Sequence, residues 1–167
     1  MQTIITDSEL NTILYEAFYT NRSIESEIRL LIEILYSTGC RINDILEYER
    51  WSVLMNGNIQ LQPQKRNNLR IFEPADLPTL FYDNLVNDIN TFDGYYYDKC
   101  EYYINEILRK NAIKRNKKYL TTHLFRHNYC KKLHNLGMTD EQIQLKLGLL
   151  NLASAQNYIY SILVGYV

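Results

Sequence analysis

At 167 residues, 46% hydrophobic and 22% charged, the chain is long enough to bury a core as one domain without disulfides or metals. No apolar run approaches the ~20 residues of a membrane helix, and "MQTIITDSEL" has neither the basic nor the long apolar region of a signal peptide. Cys40, Cys100 and Cys130 are odd in number and form no CxxC pair, which points to reduced thiols in a cytoplasmic protein. The net charge of −1 hides an asymmetry. Residues 1–107 carry 8 basic and 17 acidic side chains, whereas residues 108–167 carry 10 basic and 2 acidic ones. Much of the positive charge lies in "RKNAIKRNKK" (109–118), either a solvated helix end or the footprint of a polyanion partner.

In chain order, Thr6 and Glu9 form a capping box ahead of a stripe at Leu10, Ile13, Leu14, Ala17 and Phe18, predicting a first helix. A second begins after Ser23, buries Ile24, Ile28, Leu31, Ile32 and Leu35, and stops at Gly39. "RINDILEY" reads as a short third helix. Two extended stretches, 58–62 and 69–73, flank the polar turn "KRNN" and predict a hairpin or part of a small sheet. Helices are expected at 76–90 and 98–112. Another runs from a Thr122 cap to Gly137, and one more follows a second capping box, Thr139 to Gln142. The predicted fold class is α+β, mostly α-helical, with a small antiparallel β-sheet.

Four separated features carry candidate chemistry. Arg41 follows the helix-ending glycine, with Asp44 three residues on. Such a pair is either a surface ion pair of little consequence or a carboxylate-held guanidinium ready to take a phosphate. Lys65 sits at the tip of the predicted hairpin, where a lysine is ordinarily solvated. "HLFRH" sets His123, Arg126 and His127 on one helical face. A metal site is disfavoured there, because an arginine stands between the histidines where a metalloprotease motif has glutamate. Finally, "LGLLNLASAQNYIYS" ends on Tyr158 and Tyr160, in a chain that already has 15 tyrosines.

In this order, "STGCRIND", "QKRNNLRIFEP", "HLFRH" and "LGLLNLASAQNY" resemble the tyrosine recombinase (phage integrase) catalytic domain. That family shows an Arg in a "TGxRxxE" context, a Lys on a β-turn, an "HxxRH" helix and "LGHxxxxxTxxY". The resemblance spans nearly the whole chain. It implies a single catalytic domain over 1–167, without the family's usual N-terminal core-binding domain. It also implies DNA strand cleavage and rejoining through a 3′-phosphotyrosyl intermediate, with no cofactor or metal. Tyr158 would be the nucleophile, Arg41 and Arg126 the phosphate ligands, Lys65 the general acid and His123 the proton acceptor. Asp44 and His127 would support them, and Lys114, Arg115, Lys117 and Lys118 would bind DNA. The family's register selects Tyr158 over Tyr160, and residues two apart on a helix cannot serve one phosphate. The implied partner is double-stranded DNA; the apolar C-terminal tail "IYSILVGYV" docks either on its own domain or, as the resemblance implies, on a neighbouring protomer on DNA. No membrane is involved, and the expected location is cytoplasmic, at the nucleoid when bound to DNA.

One position departs from the pattern. Leu149 stands where the family has the "LGH" histidine, a phosphate hydrogen-bond donor whose loss costs about 3–4 kcal/mol of transition-state stabilisation. Two further readings follow: a catalytically weakened DNA-binding or regulatory protein of the same fold, and a helical protein-interaction module.

Overall fold

The computed structural model describes residues 7–20, 26–64, 68–114 and 123–163. Eight helices and one three-stranded sheet are formed by these residues. Helix α1 (Asp7–Thr20) and helix α2 (Ser26–Thr38) precede the short α3 (Ile42–Leu46). Thr6, of the first capping box, lies outside the described residues. Ile28, Leu31, Ile32 and Leu35 of α2 are all buried, as their helical spacing requires. Gly39 ends α2 in the left-handed region at φ +63°, and a Cβ there would lie 2.7 Å from the Tyr129 ring. Only glycine both takes this turn and admits that approach.

The sheet is antiparallel in the order β1 (Trp51–Val53), β2 (Ile59–Leu61), β3 (Arg70–Phe72), with Ile59 opposite both Val53 and Phe72. The predicted hairpin is therefore present as β2 and β3. Strand β1 was not foreseen: three residues, of which only Trp51 is buried, show no readable alternation. Trp51 fixes it in place. Its Nε1 donates to the Asp44 carbonyl at 2.8 Å, and its ring meets Phe72 and Phe81.

The helix expected over 76–90 is shorter. Pro74–Asp76 form one 3₁₀ turn, and α4 spans Thr79–Val86. Pro78 separates the two, since proline disfavours helical conformation in the residue before it. Asp88, at φ 57°, ends the segment. Helix α5 (Tyr97–Lys114) matches expectation with small extensions, and α6 covers His123–Asn135. Helix α7 (Asp140–Leu147) carries the predicted reciprocal cap. Gln142 N–H donates to Thr139 Oγ1 at 3.2 Å, and Thr139 N–H donates to Gln142 Oε1 at 2.9 Å. Helix α8 (Leu152–Leu163) starts at Asn151, whose Oδ1 accepts from Ser154 N–H at 2.8 Å.

Two apolar clusters meet at α6. The larger joins α1–α5 and the sheet to Leu124 and Phe125 at the start of α6. The smaller joins Cys130 and Leu133, further along α6, to Ile143 and Leu147 of α7 and Ile159 and Ile162 of α8. Arg126 and His127 lie on α6 between the two, at the seam where polar side chains converge.

Candidate active site

Arg126 is 6% exposed, and its guanidinium bridges two helix ends. Nη1 donates to the Gly39 carbonyl and Nη2 to the Leu147 carbonyl, both at 2.9 Å. The carbonyls at helix C-termini lack intrahelical partners and carry the negative end of the helix dipole, so a cation is well placed there. Among the described residues no carboxylate pairs with this guanidinium. Burial first, then the positive charges of Arg70 and Arg41, draw its pKa down to about 10. At neutral pH it remains a cation, with N–H donors left over for an anion.

Tyr158 on α8 lies against this group. Its ring stacks on His127 at 5.0 Å between centroids and 26° between planes. Burial raises the phenol above its usual range, while Arg126 and Arg41 pull the other way. A neutral, half-buried phenol facing arginine charge is held protonated until something accepts its proton. Tyr160, two residues on, is 67% exposed. His123 is the first residue of α6; its side chain lies outside the described ones.

Arg41 is half-buried and immediately precedes α3, with extended φ −80° and ψ 150°. That backbone defeats the helical i,i+3 relation expected between Arg41 and Asp44, and no ion pair joins them among the described residues. Asp44, 4% exposed, instead accepts the Gln64 N–H at 2.8 Å. It thus anchors Gln64, the residue just before Lys65 in sequence. Lys65 itself, with Arg66 and Asn67, lies outside the described residues. Asn68, just after them in sequence, is held as firmly: its N–H donates to the Gly148 carbonyl at 2.9 Å, and its Nδ2 to the Leu149 carbonyl at 3.1 Å.

Leu149 turns its side chain into the smaller apolar cluster. Its carbonyl also takes the Gln144 Nε2 at 3.3 Å.

Chains of solved structure share this arrangement of helices and sheet. XerA recombinase is 18% identical with a TM-score of 0.61, over 99% of this chain and 64% of that one. XerH site-specific recombinase, solved bound to its difH substrate, is 18% identical with a TM-score of 0.60, over 95% and 50%. The Tn1549 transposon integrase, in complex with transposon right end DNA, is 16% identical with a TM-score of 0.58, over 93% and 60%. The chain has the catalytic-domain fold of the tyrosine recombinases. It spans between half and about two-thirds of the length of these structures. No protein-family model matches the sequence, and no curated protein is detectably similar.

Within the tyrosine-recombinase fold, one site residue escaped the sequence reading. Arg70 on β3 is 3% exposed and reaches the same helix ends as Arg126. Its Nε donates to the Lys146 carbonyl at 2.7 Å, Nη1 to Cys40 Sγ at 3.1 Å, and Nη2 to the Thr38 carbonyl. The available signal was alternation: Arg70 occupies an inward position of a strand whose inward neighbour, Phe72, is apolar. A charged residue there demands buried partners. Of the predicted DNA-binding residues, Lys114 ends α5 with its side chain outside the described ones. Arg115, Lys117 and Lys118 lie wholly outside. Among the described residues no cluster of three or more His, Cys, Asp or Glu side chains forms a metal site, and no helix is long and apolar enough to cross a membrane.

Proposed function

We propose that the chain is a catalytic domain over 1–167 that cuts and rejoins DNA at specific sites, as in integration or excision of a mobile element. The observation that carries this reading is Tyr158 stacked on His127 beside the buried, carboxylate-free Arg126. Tyr158 Oη attacks a scissile phosphate, forming a 3′-phosphotyrosyl bond as the bond to the 5′-oxygen breaks. The phosphodiester energy stays in the covalent link, so rejoining requires no added energy source. Arg126 and Arg41 stabilise the charge growing on the non-bridging oxygens. His123 takes the phenol proton, which the half-buried Tyr158 does not release unaided. Lys65 protonates the leaving 5′-oxygen, Asp44 holds the Lys65 turn through Gln64, and His127 supports the tyrosine ring. Lys114, Arg115, Lys117 and Lys118 contact DNA phosphates. Of the tail 159–167, Ile159 and Ile162 pack within their own domain, and the remainder of the tail links protomers on DNA. The working location is the cytoplasm, at the nucleoid when DNA is bound.

The test is a pool of nicked duplexes that trap a cleaved strand. Wild type and Tyr160→Phe are expected to form a covalent protein–DNA adduct, and Tyr158→Phe none. An adduct from Tyr158→Phe but not from Tyr160→Phe would reverse the choice of nucleophile. Leu149 favours a second reading, a catalytically weakened DNA-binding or regulatory protein, because its side chain packs inward and offers the phosphate no donor. Tight, site-specific DNA binding by wild type without any adduct decides for that reading.

A further inference from the structure

We propose that Arg70 is a positioning residue that locks strand β3 to the C-terminal ends of α2 and α7, so that Arg41 and Arg126 meet the phosphate as one rigid unit. The proposal rests on the strand-cleavage reading above. Arg70 lies five residues after Lys65, and its guanidinium spans three acceptors on two other elements. Thr38 and Cys40 adjoin Arg41, whereas Lys146 closes α7 next to Leu147, which Arg126 holds. The guanidinium also lies over the rings of Phe72 at 4.8 Å and Tyr129 at 5.8 Å, which fixes its plane.

The close fit extends to the backbone. A Cβ at Gly148, where φ is +70°, would lie 2.9 Å from Arg70 Cγ and 2.9 Å from the Asn68 carbonyl. Strand and helix end therefore approach as closely as the chain permits. The choice of partners matters as much as their number. Among the described residues neither Arg70 nor Arg126 is paired with a carboxylate. A carboxylate would hold the guanidinium equally well but would cancel the charge that an incoming phosphate needs. Helix-end carbonyls hold it while leaving that charge in place. A lysine cannot substitute, because one ammonium cannot reach three acceptors set out for a planar fork.

The test compares full-length wild type, Arg70→Lys and Arg70→Gln on nicked duplexes recovered from a random pool by wild-type adduct formation. Thermal midpoint, DNA affinity, and the amplitude and rate constant of single-turnover cleavage are measured at saturating DNA. The folded variants are expected to bind DNA within about threefold of wild type, with the rate constant down on the order of tenfold to a hundredfold. A rate constant equal to wild type, with only amplitude or thermal midpoint reduced, would show a purely structural residue and overturn the proposal. No adduct from wild type on any duplex would sink the strand-cleavage reading and the Arg70 role with it. Should neither variant fold, hydrogen exchange at Nε–H in wild type decides. Arg70 is expected to exchange far more slowly than the exposed Arg109, and equal rates overturn the proposal.

Discussion

Arg126, Arg70 and Tyr158 show how the site solves a problem of buried charge. A guanidinium removed from water requires partners for its donors, and here they are carbonyls at helix ends rather than carboxylates. The cost is visible in Arg126, whose pKa falls to about 10, yet the positive charge survives at neutral pH, as the proposed phosphate role requires. Leu149 is the weak point of the constellation. Leu149→His restores an N–H donor beside that charge, and the single-turnover rate of adduct formation is expected to rise on the order of tenfold or more. A rate no faster than wild type, in a variant that remains folded, would mean that the phosphate is already fully served by other donors.

The helices deliver these residues through their ends more than through their faces. Helices α2 and α7 both finish at a glycine in the left-handed region, and the carbonyls around those glycines are the ones the two arginines take. Gly39→Ala is expected to destabilise the protein by about 2–4 kcal/mol, combining the strained φ with overlap on the Tyr129 ring. Gly137→Ala provides the comparison. Its φ of +82° is similar but a Cβ there meets nothing within 4 Å, so a loss of only about 1–2 kcal/mol is expected. Urea denaturation of both variants checks this, and equal losses would remove the packing contribution assigned to Gly39. Much of this element scale was legible in the sequence. The Thr139–Gln142 box, the stop at Gly39 and the β2–β3 hairpin all follow from local chemistry, whose signals occupy a few adjacent residues. Strand β1 was not legible, because three residues paired to β2 through Trp51 carry no periodicity of their own.

For the molecule as a whole, titration and salt probe the two balances that matter. Burial raises Tyr36, Tyr129 and Tyr158 above the usual phenol range and lifts Cys130 to about 11. These groups keep their protons in the folded state while the unfolded chain releases them. Stability is therefore fully present below about pH 8.5 and falls as pH rises beyond it. Arg126 has the opposite sign. Its folded pKa is lowered, so above about pH 10 the unfolded chain holds that proton more tightly and stability gains. Among the described residues the raised acids, to which Tyr97 and hydrogen-bonded Tyr48 also belong, outweigh the lowered Arg126, and the urea midpoint is expected to drop between pH 8 and 10.5; an unchanged midpoint contradicts it. The charge asymmetry bears on the proposed DNA binding instead. Neutralising Lys114, Arg115, Lys117 and Lys118 to Gln together is expected to flatten the slope of log affinity against log salt by about 3–4. An unaltered slope would place the phosphate contacts elsewhere.

By itself the sequence determined the helical framework and the hairpin, because caps, turns and amphipathic periods act over a few residues, whereas Arg41, Arg126 and Tyr158 became candidates through motifs that resemble those of the tyrosine recombinases. Tertiary structure decided what those residues touch. It turned Asp44 from Arg41 to the Gln64 amide, stacked a half-buried Tyr158 on His127 while leaving Tyr160 in solvent, and set Arg70 beside Arg126 at the same helix ends. Each of these outcomes depends on partners far away in sequence. The need of a buried polar group for a donor or acceptor selects that partner only once the chain has closed around it.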